Sequence, residues 1–202
     1  MTAANAADGP TGVGLLDDEE PGLEVLGDSA YGGGETRAAL RAAKHTQTIK
    51  PVPLAAAVPG GFTKHDFAID QQAGTVTCPA GYRAPITASG QTSFGVRCAR
   101  CPLRQRCTTA AGGRTIHVHP HEDELRAARR RAMTRGFQDS YRRWRPMVER
   151  SIAWLVADGC RRVPYRGVER NHVWLSVRVA ALNLRRLLIL GLARRDGAWV
   201  LA

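Results

Sequence analysis

Leu23-Glu-Val-Leu-Gly-Asp28-Ser-Ala-Tyr31-Gly-Gly-Gly34-Glu35 is the stretch from which the fold is read. Residues 23–26 predict a brief buried strand, with Asp28 just beyond its end. The three glycines give a loop into a helix over residues 35–44, and a second strand follows near residues 46–50. That strand stops at Pro51-Val-Pro53, because proline cannot continue a ladder. The glycine triplet lacks the Lys-Ser/Thr of a P-loop, so it serves to turn the backbone away from the strand.

The charge around this stretch is uneven. The 202 residues, enough for one good core with a small appended module, carry a formal net charge of +11. Residues 1–35 hold eight acids and no Lys or Arg, residues 36–121 eleven bases against two acids, and residues 122–202 eighteen bases against eight. A nucleic acid fits this balance, and its phosphates are expected to lie on the last two thirds. Arginine supplies most of the positive charge, and its planar fork suits phosphate. The most apolar stretch, residues 179–193, is broken by Arg185 and Arg186, whereas a membrane span needs ~20 mostly apolar residues. The opening has no basic region followed by an apolar core, so no signal peptide is read and the cytoplasm is the expected location. Five cysteines with one tight Cys-x-x-Cys fit a metal site better than a secreted disulfide framework.

Residues 1–20 read as a short helix or loop. Residues 59–113, rich in Gly, Pro, Thr and Cys, predict short strands at 67–70, 75–78 and 94–97 and read as an insertion with its own small fold. The remainder is helical. An arginine-rich helix is expected over 122–143, and Pro146 at the first position of the next, where its missing N–H costs nothing. Glu149 would then sit in a first turn, favoured by the helix dipole. Val148, Ile152, Leu155 and Val156 form its expected buried stripe. Trp174, Val177, Ala181, Leu184 and Leu188 do the same for a last helix over 172–192.

An acid at a strand end and an acid early in a helix can share a divalent cation beside a phosphate. Two-metal phosphoryl transfer needs carboxylates holding two ions about 4 Å apart. Asp28 and Glu149 are therefore the candidate catalytic pair. On spacing alone, Asp28 could equally cap the turn after it, and Glu149 pair with Arg145 or Arg150. Cys78 with Cys98-x2-Cys101-x5-Cys107 offers four thiolates from two knuckle-like turns, the set for a closed tetrahedral zinc site, although buried small hydrophobes fit too. Arg97, Arg100, Arg104 and Arg106 thread the same loop, a setting for a metal-stiffened phosphate contact. Cys160 stands apart as a structural residue. His117-Val-His119-Pro-His121 reads as alternate residues of a strand face followed by a proline turn.

Six motifs carry a family resemblance: Thr2-Ala-Ala-Asn-Ala-Ala-Asp8-Gly, Glu24-Val-Leu-Gly-Asp28-Ser-Ala-Tyr31-Gly, Cys78-Pro-Ala-Gly with Cys98-Ala-Arg-Cys101-Pro-Leu-Arg-Gln-Arg-Cys107-Thr, Tyr141-Arg-Arg-Trp-Arg145-Pro-Met-Val-Glu149-Arg, Arg161-Arg-Val-Pro-Tyr165-Arg-Gly, and Ala181-Leu-Asn183-Leu-Arg-Arg-Leu. Together they resemble the C-terminal part of a DDE transposase from a bacterial insertion sequence. The resemblance implies an α/β fold: an incomplete RNase H-like mixed sheet with flanking helices, interrupted by a small Cys-rich insertion. Residues 1–58 would belong to the core, 59–120 to the insertion and 121–202 to arginine-rich helices carrying the final glutamate. It implies metal-dependent cutting and strand transfer of transposon ends with Mg2+ or Mn2+, Asp28 as the second metal-binding acid and Glu149 as the third. Double-stranded DNA would lie along Arg130, Arg142, Arg143, Arg145, Arg161, Arg162 and Arg166. Trp144 stands where the family usually has an arginine, for which Arg145 can substitute.

The family's first aspartate would precede Met1, and Asp8, Asp17 and Asp18 lack a strand context. The chain is therefore expected to be a truncated remnant, inactive alone, with an uncovered sheet edge. It would associate with a second copy or with the missing N-terminal half. The rival reading is a non-catalytic, zinc-stabilised nucleic-acid-binding protein.

Overall fold

The computed structural model describes residues 6–201; residues 2–5 of the opening motif lie outside the described residues. The chain divides into two compact units, one over Asp8–Gln138 and a second that begins at Asp139.

The first unit opens on α1 (Asp8–Gly14), followed by β1 (Glu24–Gly27), a 3-10 turn over Ser29–Tyr31, α2 (Gly34–Ala42) and β2 (Thr46–Ile49). The bounds of β1, α2 and β2 fall within two residues of the expected ones. β1 and β2 pair in parallel, Glu24 opposite Thr46 and Gly27 opposite Ile49. Parallel strands need a long crossover, and α2 supplies it.

Parallel pairing is confined to these two strands among the described residues. In the cysteine-bearing segment, β3 (Ala68–Asp70), β4 (Thr75–Thr77) and β5 (Arg83–Pro85) form an antiparallel sheet, and β6 (Gln91–Ser93) pairs with β7 (Thr115–His117). The strand expected at residues 94–97 is instead a 3-10 turn, Gly95–Cys98, and the extended residues lie just before it. Gly95 has φ +50, which ends an extended run. A one-turn α3 (Arg104–Cys107) precedes β7. Phe67, Val76, Ala84, Phe94, Ile116 and Val118 bury together with Cys98 and Cys107 in one cluster. The rings of Phe67 and Phe94 meet at 5.8 Å between centroids.

The long helix expected over 122–143 is two helices, α4 (Glu122–Ala132) and α5 (Arg135–Leu155). Thr134 makes the break. Its hydroxyl donates to the Arg131 carbonyl at 2.7 Å, closing α4, and accepts the Phe137 N–H at 3.3 Å, capping α5. Because that cap starts α5 so early, Pro146 lies inside the helix and Glu149 beyond its middle, so the first-turn dipole argument for Glu149 does not apply. After a π-turn over Val156–Cys160 come α6 (Val168–Ile189) and a hairpin of β8 (Ala193–Arg195) and β9 (Ala198–Val200). The hairpin was not foreseen, although Asp196 (φ +49) and Gly197 (φ +82) are an Asp-Gly pair of the kind that closes a two-residue turn.

The two predicted buried stripes are not buried. Val148, Ile152 and Val156 are exposed and Leu155 half-buried; Trp174 is half-buried, Ala181 and Leu184 are exposed, and Val177 and Leu188 are 64% and 56% exposed. Three- and four-residue spacing marks an apolar helix face, but burial also requires a surface packed against it. Of the described residues of the second unit, only Asn171 is buried.

No helix among the described residues is long and apolar enough to cross a membrane. Within the first unit the feature that fixes packing is a carboxylate: Glu122, at the start of α4, is fully buried. It pairs with Lys64, with Arg129 at 2.8 Å and with Arg126 at 3.9 Å. Removing one partner of such a group leaves uncompensated buried charge. Glu122→Ala should therefore lower the free energy of urea unfolding by about 3–5 kcal/mol; an unchanged transition midpoint would show that the cations find solvent instead.

Candidate functional site

Asp28 stands one residue beyond β1, at the carboxyl end of a parallel strand, where α/β sheets place their ligands. It is half-buried, and its Oδ1 accepts the Ala30 N–H at 2.9 Å, capping the 3-10 turn. The loop after it is held from beneath by Arg37, only 2% exposed on α2. Arg37 Nε donates to the Gly32 carbonyl at 3.1 Å, Nη2 to the Ile49 carbonyl at 3.1 Å and Nη1 to Gln47 Oε1 at 3.3 Å. Gln47 Nε2 in turn donates to the Arg37 carbonyl at 2.8 Å. Burial, and then the nearby Arg131 and Arg129, lower the Arg37 pKa from its ordinary value to about 10, with Glu124 opposing them. Arg37 thus remains a cation at neutral pH.

Two of the three loop glycines are required by close approach. A Cβ on Gly32 would lie 3.0 Å from the Ser29 and Lys50 carbonyl oxygens, and one on Gly34 would lie 2.5 Å from the His119 ring. The α4 side braces α2 by a hydrogen bond between His121 Nε2 and Glu35 at 3.0 Å and an ion pair of Arg41 with Glu124 at 2.8 Å. His119 Nδ1 accepts the His121 N–H at 3.0 Å, so these histidines join elements together, as a strand face and turn would.

Glu149, exposed on α5, accepts from Arg145 Nε at 2.8 Å across one helical turn. It lies in the second unit and Asp28 in the first. Asp28 caps its own turn, and Glu149 is one half of an i,i+4 pair.

The candidate DNA-contacting arginines separate by exposure. Arg130, Arg142, Arg143, Arg161, Arg162 and Arg166 are exposed, whereas Arg145 is half-buried and turned to Glu149. Arg142 lies 3.9 Å from Asp139, and the Arg143 guanidinium stacks 4.6 Å from the Trp144 ring centroid. Arg126, Arg129 and Arg131, on the same arginine-rich run, bond inward: to the Phe67 carbonyl at 2.6 Å, to Glu122, and to the Gln47 carbonyl at 3.4 Å. The loop carrying Arg161, Arg162 and Arg166 is locked by buried Asn171. Its Nδ2 donates to the Tyr165 and Gly167 carbonyls at 2.7 and 2.6 Å, and its Oδ1 accepts the Tyr165 N–H at 3.1 Å. Arg37, Glu122 and Asn171 were all missed from the sequence, which carries no local signal that a polar side chain will be buried.

Cys78, Cys98, Cys101 and Cys107 all line one cavity of about 20 Å3, room for roughly one water-sized body. Cys78 opens a turn in which the Gly81 N–H donates to the Cys78 carbonyl at 2.8 Å, and the Cys101 N–H donates likewise to Cys98 at 3.3 Å. Cys98 Sγ also accepts the Arg114 N–H at 3.4 Å. Burial pushes the Cys107 thiol up; Arg114 opposes this, and Cys98, Cys78 and Cys101 add to the rise. Among the described residues no three His, Cys, Asp or Glu side chains are grouped so as to hold a metal ion. The four thiols share a space without closing on one point.

A family model described as a transposase DDE domain matches residues 77–188, more than half of the chain. The match takes in the four cysteines and Glu149, and leaves Asp28 outside. Searches of curated proteins and of solved structures gave no significant match.

Arg37→Met should orphan the Gly32 and Ile49 carbonyls, at about 1–3 kcal/mol each. Urea unfolding measures the loss, and hydrogen exchange should quicken at residues 28–33. Unchanged exchange there would show that Arg37 does not hold the loop.

Proposed function

Since this chain belongs to the transposase DDE-domain family, we propose that it acts on double-stranded DNA by metal-dependent phosphoryl transfer, with Asp28 and Glu149 as two carboxylates of the reacting centre. The observation that carries the reading is the family match across the helix bearing Glu149. The place of Asp28 at the carboxyl end of β1 supports its share in the centre. The parallel β1–α2–β2 unit supports residues 1–58 as part of an RNase H-like sheet, with 59–120 as a Cys-rich insertion and 121–202 as the arginine-rich helices.

The donor set fits Mg2+ or Mn2+, because carboxylate oxygens are the hard ligands these ions take. Bound there, such ions would stabilise charge on the attacking and leaving oxygens of a phosphodiester. The chain's own residues do the positioning. The backbone cap fixes the Asp28 carboxylate, Arg37 holds the loop behind it, and Arg145 keeps a cation beside Glu149. The exposed arginines 130, 142, 143, 161, 162 and 166 supply phosphate contacts, and Asn171 orders the loop bearing three of them.

Asp8 lies on α1, and Asp17 and Asp18 in the turn after it, so none stands at a strand end. A second reading is a zinc-stabilised nucleic-acid-binding protein without catalysis, which draws on the exposed arginines and the cysteine cavity and not on the carboxylates.

Titration with Mn2+ separates the two. A shared centre predicts a site weakened more than tenfold, about 1.4 kcal/mol, in Asp28→Asn and in Glu149→Gln alike. Loss in one variant only removes the shared centre. In a strand-transfer assay, the chain alone should retain duplex DNA and form no joined product; joining that depends on both acids would show a third within these residues.

The thiols are proposed to hold one structural zinc, for which the four-cysteine cavity is the support. Elemental analysis should find about one zinc per chain, and Cys98→Ser should lose it along with thermal stability. Zinc-free protein of equal stability would overturn the site.

A further inference from the structure

No acid occurs between Asp70 and Glu122, while six arginines do: Arg83, Arg97, Arg100, Arg104, Arg106 and Arg114. Among the described residues none of the six forms an ion pair with a carboxylate. Three of them are oriented by neutral groups instead. Arg97 Nη1 donates to the Arg83 carbonyl at 2.6 Å, Arg104 Nη2 donates to the Ala110 carbonyl at 3.1 Å, and Arg106 stacks 4.7 Å from the Phe62 ring centroid. Arg83, Arg97 and Arg100 are all exposed.

We propose that the exposed face formed by Arg83, Arg97 and Arg100 on the cysteine-bearing sheet is a DNA-binding surface in its own right, gripping the phosphate backbone of a duplex.

Three features favour this partner. Guanidinium groups held by carbonyls keep their full charge for an outside anion, whereas those of α4 spend theirs on Glu122. Arg97 lies in the 3-10 turn Gly95–Cys98 and Arg100 two residues beyond its end, and the Arg97 guanidinium reaches the Arg83 main-chain carbonyl, so the three residues lie close together. The turn rests on the buried cluster through Phe94 and Cys98, so the cations sit on a rigid base and lose less freedom on binding. Val96, 90% exposed beside Arg97, and Tyr82, exposed beside Arg83, give the face apolar surface that can lie against sugar or groove wall. This inference rests on the DNA-binding part of the proposed function, and on neither its catalysis nor its zinc.

The test is equilibrium binding of the full chain to a short labelled duplex across a salt series. For Arg83→Gln/Arg97→Gln/Arg100→Gln, the slope of log K against log salt should become shallower by about 0.9 per lost phosphate contact, close to 3 in all. Arg83→Lys/Arg97→Lys/Arg100→Lys should keep most of the slope, since charge survives. A glutamine variant with the wild-type slope overturns this surface and leaves the proposed function standing; a wild-type chain that binds no duplex overturns both. Equal binding of polyglutamate by the wild type, lost in the same variant, overturns DNA as the partner. Should the variants fail to fold, hydroxyl-radical footprinting of the wild-type complex decides. Protection at Tyr82, Arg83 and residues 96–100 supports the surface, and its absence there overturns it.

Discussion

Glu122 has no solvent to answer its charge, so the answer comes from three cations of the same unit. Lys64 reaches it from the turn before β3, and Arg126 and Arg129 from the following turns of α4. The consequences spread outward from there. Arg126 also bonds the Phe67 carbonyl at the edge of the cysteine-bearing core, and Arg131 bonds the Gln47 carbonyl of β2. One buried carboxylate thereby sets α4 against both the antiparallel sheets and the parallel pair. A buried charge costs several kcal/mol unless its partners are well placed. Alternative packings that leave it unpaired are therefore strongly disfavoured.

The same helix reaches Asp28 by a short physical path. α4 and the turn before it meet α2 through His121–Glu35, Arg41–Glu124 and the close approach of His119 to Gly34. α2 carries Arg37, which holds Gly32 and the end of β2 under the loop that Asp28 begins. The candidate acid is exposed enough to meet a ligand, yet its loop is set by groups with no access to solvent. The second unit is built otherwise: among its described residues no apolar side chain is fully buried, and the one buried polar group, Asn171, orders an arginine-bearing loop.

Arginine consequently plays two parts that composition cannot separate. Those facing Glu122, or backbone carbonyls within the core, are structural cations. Those whose guanidinium meets one carbonyl or ring at the surface, with no carboxylate partner, keep their charge for phosphate. Net charge sums the two kinds, and only the inward-facing acids and carbonyls tell them apart.

The strand, loop, helix and second strand around Asp28 were legible in the sequence because glycine and proline limit where elements begin and end. The family was legible too, because its motifs are local runs of residues. The four cysteines singled out in the sequence line one small cavity, but among the described residues no three of them are grouped to hold a metal ion. What the sequence left open was decided by contacts between distant residues. Thr134, bonding in both directions, split a helix that periodicity joined, and this moved Glu149 out of a first turn into a helix interior. Apolar spacing marked faces on α5 and α6 but not whether anything would cover them. Arg37, Glu122 and Asn171 look like ordinary surface residues in the chain; they are buried because partners remote in sequence satisfy their hydrogen bonds and charge, a fact that exists only once the chain has folded.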